Sequence, residues 1–593
     1  MSLRVQELIH SLDQGIWSRL VRWVCVLVAM SGAAVLYDAI AFHNLSCPEG
    51  MEAAQLARNL SEGKGYITLC VRPFSMFLLQ RHRPDHSPML KEAHPDLTNP
   101  PVYPWALAGV LKLADTISAR YGGIFHVKMD KFRIYPADLI IAVFNQTLLL
   151  AAAVLLFAIA LQLFSRPVAW VSALLFLGTE LYWRFSVSGL STNLLLVWTL
   201  ALVLSLMRLE DGLQKAKGPK TMLLWAALAG GCIGMGGLTR YAFAWFLVPV
   251  VIWLLALFGK RRGQLLMVTL LSCLAVLTPW LARNWQVSGT PFGLASFAAV
   301  QGTRSFPEDR LERSLEPSVG QVKPSEYARK LSSNARDIFL NELPKLGGSW
   351  ISALFLAGLL VPLSTAAPAR LRWFLLLCLP CLIIVQALGR TYLSDESPTV
   401  NSENLLVLLA PLILVFGVGF FFVLLERLDL GTLFLRFGLI GSFVTVLSLP
   451  LIISLLPPRS SPIAYPPYYP PMLAKVGVWM DPGDLVMTDV PWAVAWYGRR
   501  QSVLTTMSWK KDFFQITDFM KPVRALYLTP RTTDTKFIST WVKGEEQNWC
   551  KFLFEIISKK EVPTGFPLRR APGNFLFPEQ LFLTDLDRWL FKE

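Results

Sequence analysis

Apolar and polar residues alternate along this chain in blocks much longer than any helix or strand period. Mostly apolar runs of about 17–25 residues recur near 23–42, 135–164, 167–187, 191–208, 221–239, 241–259, 264–282, 347–365, 373–389, 404–425 and 437–456. Coiled as a helix, a run of this length matches the hydrocarbon thickness of a bilayer, and only an internally hydrogen-bonded helix crosses lipid without exposing backbone polar groups. The pattern predicts a polytopic α-helical membrane protein with about 11 transmembrane helices. The even-numbered links then carry Arg166; Arg208 with Lys215, Lys217 and Lys220; Lys260-Arg261-Arg262; Arg370 and Arg372; and Arg427 and Arg436. Short Lys/Arg-rich loops stay cytoplasmic, so these links share the cytoplasmic side, and Arg4, Arg19 and Arg22 ahead of the first run put the N-terminus there too. Because apolar residues continue past Ser31-Gly32-Ala33-Ala34 to Phe42, the first run reads as a retained anchor, and Leu45-Ser46-Cys47 is a poor lipobox.

Three polar segments are left facing outward: a first loop over 43–134, a linker over 284–346, and everything from Pro457 onward. The last opens with a proline-rich stretch to Pro471 that excludes regular helix and makes a stiff exit from the membrane. Beyond it, Asp484–Asp489, Ser502–Leu504 and Val523–Leu528 read as strands, with helical patterns over Pro491–Gly498 and Asp512–Met520 between them. The expected organisation is a transmembrane domain over 1–456 and a small extracytoplasmic C-terminal α/β domain over 457–593. No internal repeat is visible, which weighs against a transporter built from inverted halves.

Composition sharpens this picture in two places. The chain is 53% hydrophobic, above the roughly 45–50% of soluble domains, and its net charge is +15. Since many of the basic residues sit in the topology-setting links, the charge does not point to nucleic acid. The eight cysteines show no metal-ligand spacing, and Cys378 and Cys381 lie inside an apolar run, so packing is their expected role.

Candidate chemistry concentrates in the first loop. Five of the six histidines fall there (His43, His82, His86, His94, His126), together with Glu49, Glu52, Asp85 and Asp96. From Glu49 to Tyr66 the pattern is an acid, an amphipathic helix of about three turns and a glycine stop. An acid at such a helix start is commonly a cap that favours the dipole and accepts backbone N–H bonds. Farther on, Leu97-Thr98-Asn99-Pro100-Pro101-Val102-Tyr103-Pro104-Trp105 makes a rigid turn into an apolar stretch, where the prolines also suit a point of membrane re-entry.

Taken together, Glu49, Arg58 within Gln-Leu-Ala-Arg-Asn-Leu-x-x-Gly-x-Gly-Tyr, and Pro100-Pro101-Val102-Tyr103-Pro104 resemble the first outer loop of GT-C glycosyltransferases. The resemblance is narrowest to the branch holding the protein O-mannosyltransferases and lipid A aminoarabinose transferases. Gly189-Leu190-Ser191-Thr192-Asn193, Gly237-Leu238-Thr239-Arg240-Tyr241 and Pro279-Trp280-Leu281-Ala282-Arg283-Asn284-Trp285 fit in the same order, so the similarity runs from residue 37 to about 530. It implies transfer of a sugar from a polyprenyl-phosphate donor to an acceptor at the outer face of the membrane, with inversion. Glu49 then stands where the family usually has Asp as the base, with Glu52 as second carboxylate or alternative base. Arg240 and Arg283 are expected on the donor phosphate, and Arg58, Asp96 and Tyr103 in the substrate loop. Arg184 and Arg390 are expected only to anchor helix ends. Asn193 stands where many relatives have Glu, and Asn404 opens a span that often begins with Arg.

The resemblance implies that no cofactor is required, since the branch generally works without metal, although some GT-C relatives use one. His82, Asp85, His86 and His94, with Asp96, offer imidazole and carboxylate donors at short spacing, so a divalent metal is a minority alternative, as is use of the loop for acceptor hydroxyls or a headgroup beside Arg81, Arg83 and Lys91. The expected partners are a polyprenyl-phosphate-linked sugar, an acceptor that is lipid, glycan or protein, and membrane lipids. The expected location is the bacterial inner (plasma) membrane. A transporter, which would want ionisable residues in mid-span, and a non-catalytic relative that binds a lipid-linked sugar are the alternative functions.

Overall fold

The structure is a computed structural model and describes residues 16–82, 90, 93–125, 134–215, 218–346, 350–360, 366–397, 400–428, 432–456, 469–533, 546–572 and 580–590. Six helices among these are long and apolar enough to cross a membrane: Pro136–Leu163, Thr192–Gln214, Arg262–Ser288, Ala366–Gly389, Ala410–Arg427 and Leu433–Leu455. Shorter apolar helices lie at Val28–Ala41, Arg166–Gly178, Tyr241–Leu257 and Trp350–Leu359. The chain is an integral membrane protein. Leu433–Leu455 is hardly buried at all and turns Phe434, Phe437 and Val446 outward, as a helix in lipid can. The apolar run at 167–187 is two helices, Arg166–Gly178 and Glu180–Val187, with Thr179 in an extended conformation between them.

Proline sets many of the helix starts. Pro48, Pro136, Pro219 and Pro470 each stand in the first turn of a helix, where a missing N–H leaves no intrahelical bond unmade. Gly289, at φ 70°, closes Arg262–Ser288 in the left-handed conformation open to glycine. Of the predicted proline-rich entrance over 457–471, residues 457–468 lie outside the described residues, while Pro470 and Pro471 belong to the first turn of the helix Pro470–Trp479, where proline is tolerated.

A five-stranded sheet sits beside the helical bundle. Its order is β1 (Cys70–Val71), β3 (Gln501–Leu504), β2 (Leu485–Thr488), β4 (Val523–Leu528) and β5 (Leu581–Thr584), all parallel except β5 against β4. Every residue of β2 and β3 is buried, as in parallel sheets covered on both faces. The edge strand β1 comes from the first loop, and sequence reading had no sign of it. Two residues are too short for an alternation signal, and only the register Cys70↔Ser502 and Val71↔Val503 makes them a strand. One apolar core joins the helices. A second runs from Met51, Ala54 and Ala57 of the first loop into Trp492 and Trp496 beside the sheet.

Candidate active site

The helix Pro48–Ser61, called the loop helix below, packs its N-terminal end directly on a turn that opens Thr192–Gln214. A Cβ on Gly50 would lie 2.8 Å from the Ser188 carbonyl oxygen and 3.0 Å from the Gly189 carbonyl carbon, so glycine is what lets the helix seat there. Gly189 itself is at φ +81°. The same turn is tied from the other side by Tyr103, whose hydroxyl donates to the Gly189 carbonyl at 2.8 Å and meets Asn145. Asn193 donates to the Asn145 carbonyl at 3.0 Å, and its buried Oδ1 has no hydrogen-bond partner among the described residues.

This seating holds Glu49 against Ser402, Glu403 and Arg240. Its Oε2 is shut off from solvent and has no hydrogen-bond partner among the described residues. Burial pushes the carboxyl up to about 7; Ser402, the helix's own backbone and Arg240 pull it down, while Glu403 pushes it further up. Arg240 donates to the Ser402 carbonyl, which fixes the loop opposite Glu49. Glu403 is buried, its carboxyl raised by burial, and it accepts from the Thr391 N–H and hydroxyl at 2.7 Å each.

A cation that sequence reading passed over completes this group. Lys330, on the linker helix Pro324–Asp337, is buried, and burial lowers its ammonium to about 8 while Glu403 opposes the shift. It donates to the carbonyls of Ala298 at 2.9 Å and Gln301. Within its own helix the lysine looks like any surface cation. Tyr327, one turn earlier, and Leu331 and Ala335 beyond it, all packed on apolar cores, are the hints that part of this helix turns inward.

Glu52, expected as a second carboxylate or alternative base, is occupied. Arg72 holds it through two bonds of 2.5 and 3.1 Å, both side chains being almost wholly buried, and Asn99 donates to it at 3.3 Å. A carboxylate so paired is neutralised by a guanidinium and held in place by three donated hydrogen bonds. Arg58 likewise does not line the site: it donates to the Trp496 and Ala495 carbonyls at 2.7 and 2.8 Å and lies over the Trp496 ring, so it fastens the loop helix to the segment beside the sheet. Asp96 accepts the Thr98 and Asn99 N–H groups at 3.0 and 2.7 Å, making a local turn, and burial raises its carboxyl to about 6.

Arg283 and Arg240 have different partners. Arg283 donates to the Asp96 carbonyl at 2.7 Å and lies over the rings of Trp280 and Tyr66, with Trp105 edge-on to Trp280. Tyr241, next to Arg240 in sequence, accepts from Trp280 Nε1 at 2.9 Å and Asn284 Nδ2 at 3.0 Å. Arg184 pairs with Glu180 on the surface and Arg390 with Asp337. Asn404 accepts from the Leu406 and Val407 N–H groups, serving as a local cap.

Among the described residues no group of three or more His, Cys, Asp or Glu side chains is placed to share a metal ion. His94 is buried against the Ser75 hydroxyl at 3.0 Å, and His82 packs on Gly289. Asp85, His86 and His126, like Arg83 and Lys91, lie outside the described residues. The donor set that is described does not make a metal site.

No family model matches the sequence, and no curated protein matches it. Solved structures do. The oligosaccharyltransferase of Archaeoglobus fulgidus in complex with Zn and sulfate aligns over 88% of this chain and 70% of its own, with a TM-score of 0.51 at 11% identity. The same archaeal enzyme, AglB, in complex with an inhibitory peptide and a dolichol-phosphate gives 0.50 at 11% identity over 88% and 71%. ArnT from Cupriavidus metallidurans bound to undecaprenyl phosphate aligns over 95% and 98% with a TM-score of 0.39 at 10% identity. On the first two, this chain has the GT-C fold.

Proposed function

We propose that this protein is a membrane glycosyltransferase that moves a sugar from a polyprenyl-phosphate donor to an acceptor hydroxyl at the outer face of the membrane, with inversion. The observation that carries the reading is Glu49: a shielded carboxylate oxygen with no hydrogen-bond partner among the described residues, poised near neutral by burial and flanked by Arg240. A general base works best when its pKa lies near the working pH and its lone pair is free to take a proton.

In this reading the acceptor oxygen attacks C1 of the sugar from the face opposite the phosphate. Its proton passes to Glu49 as the new C1–O bond forms. The bond from C1 to the phosphate oxygen breaks at the same time, and polyprenyl phosphate leaves with the electron pair. Arg240 and Lys330 stabilise that developing anion, since both are cations held beside the carboxylates of the site. Arg283, stacked on Trp280 and Tyr66, guides the donor headgroup from the bilayer side. Glu52 and Arg58 hold the loop helix in place, and Asp96 and Tyr103 the turns around it. The same reading takes the chain as about eleven crossings over 1–456, with a cytoplasmic N-terminus, and an outer C-terminal domain over 457–593, in a bacterial inner membrane.

The test is consumption of a panel of polyprenyl-phosphate sugars by the purified protein in lipid nanodiscs, wild type beside Glu49→Gln, with membrane extract as acceptor source. Loss of one donor with wild type only is the expected result. Equal consumption by both proteins removes Glu49 from the mechanism. Binding of a donor without consumption by either overturns the enzyme in favour of a non-catalytic binder of lipid-linked sugar.

A further inference from the structure

The first loop brings one more side chain to this neighbourhood, and it is aimed at protein. Arg72 follows directly on β1, at the carboxyl end of an edge strand that is registered on β3 and bonded to it through the Ser502 N–H and the Leu69 carbonyl at 2.8 Å. Its guanidinium is almost wholly buried, and besides a bond from Nη1 to the Thr98 hydroxyl at 3.2 Å it meets two carboxylates. Nη1 and Nη2 grip Glu52 at 3.1 and 2.5 Å, and Glu52 lies one turn beyond Glu49 on the same helix. Nε meets Glu312 Oε2 at 2.6 Å, and the same oxygen accepts from the Tyr392 hydroxyl at 3.1 Å. Tyr392 follows Thr391, which holds Glu403 by two bonds, and Glu403 and Ser402 are what face Glu49 across the site.

Both walls of the site thus hang on one guanidinium, the helix wall through Glu52 and the loop wall through Glu312 and Tyr392. We propose that Arg72 is a positioning residue that sets the separation between Glu49 and the Ser402–Glu403 loop, and that it does so by referring both to the edge strand β1. The inference rests on the reading of Glu49 as the base.

The chemistry of the side chain suits the task. A planar guanidinium spans two carboxylates with fixed geometry, whereas an ammonium on a flexible stem presents a point charge. The rest of the sheet's carboxyl edge serves the same kind of grip. Arg313 donates to the Thr505 and Thr506 carbonyls after β3 at 2.8 and 3.0 Å and pairs with Glu546. Arg531, after β4, pairs with Asp309 and Glu396. In parallel α/β sheets that edge is where ligands bind. Here side chains of the linker and outer loops lie against it, so the sheet acts as a rigid reference for the site and supplies no reacting group.

The test uses the full-length protein in nanodiscs and two readouts. Arg72→Lys keeps the charge and loses the bridge. Because a misplacement of about 1 Å can cost on the order of a hundredfold in rate, its kcat should fall by about that factor with donor KM little changed. Independently of turnover, infrared titration of the Glu49 carboxyl, identified as the C=O band missing in Glu49→Gln, follows the site itself. Glu49 is faced by Ser402, Glu403 and Arg240, with Cys47 on its own side. When the walls loosen and water enters, its midpoint should fall towards the ordinary carboxylate range. Glu312→Gln frees the loop wall alone and should give a smaller shift in the same direction, which keeps the test open if Arg72→Lys does not fold. Variants that lose thermal stability while kcat per folded molecule and the Glu49 midpoint stay at wild-type values would reduce Arg72 to a structural pair and overturn the proposal. If wild type consumes no donor, the functional reading fails while the infrared titration still decides this one.

Discussion

Glu49 and Glu52 stand three residues apart on one helix and live in opposite surroundings. Glu49 has a shielded oxygen with no hydrogen bond among the described residues, and desolvation holds its proton up to about pH 7. Glu52 is wrapped by Arg72 and Asn99. One turn of helix therefore separates an acid with a shielded, unbonded oxygen from an acid held in a buried ion pair. Neither propensity nor side-chain type distinguishes them. Which acid is available follows from where the guanidinium of Arg72 arrives, and that depends on a strand made with a segment some 430 residues away.

The largest effect should separate the two acids by activity. Glu49→Gln removes the base with hardly any change of shape, so transfer should fall by a factor of about 10²–10⁴ while donor binding persists. Single-turnover assays beside donor-binding isotherms check this, and a variant with normal turnover breaks the comparison. Glu52→Gln should act on stability instead. It leaves Arg72 with half its compensation, and breaking a buried ion pair costs about 3–5 kcal/mol. Detergent-matched thermal unfolding should show a marked drop for Glu52→Gln and none for Glu49→Gln.

The arginines allow a parallel contrast. Arg240 faces Glu49 and Ser402, whereas Arg283 is packed between rings and bound to a backbone carbonyl. Loss of a charged hydrogen bond costs about 1.5–3 kcal/mol, so Arg240→Ala should weaken donor binding by roughly 10- to 100-fold, and Arg283→Ala by less. Titration with a fluorescent polyprenyl phosphate measures both, and the reverse order would move the phosphate to the Trp280 side.

The smallest effect is the pH response, and it sharpens the assignment. Glu49's pKa is raised, so below about pH 7 the carboxyl is protonated and useless as a base, and above it the carboxylate forms. The acid limb of kcat/KM should therefore bend near pH 7, changing about tenfold per unit below the bend, and should be absent from the residual rate of Glu49→Gln. A bend near pH 4.5 would mean that the working base is solvated.

Much of this site could be read from residues alone because local rules write it locally. Pro48 ahead of Glu49 marks a helix start, Pro100-Pro101 marks a turn, and the order of the short motifs points to the GT-C fold that the solved structures share. Lys330 is hard to read from sequence because the few apolar residues of its mostly polar helix, Tyr327, Leu331 and Ala335, do not say that a lysine beside them is buried too. The motif places Arg58 in the substrate loop but says nothing about what the arginine reaches, and here it reaches the Trp496 carbonyl. Arg72 carried no signal, since its partners Glu52 and Glu312 lie 20 and 240 residues away in sequence.

The sequence by itself determined the membrane class and the general course of the apolar segments. Bilayer thickness, backbone hydrogen bonding and proline geometry act over short stretches, and their marks are local. Only the tertiary structure decided which glutamate keeps a shielded oxygen without a hydrogen bond among the described residues, that Arg240 faces it, and which arginines are tied to other protein groups. Those outcomes depend on desolvation and ion pairing between segments hundreds of residues apart, and such energies exist only once the chain has brought them into contact.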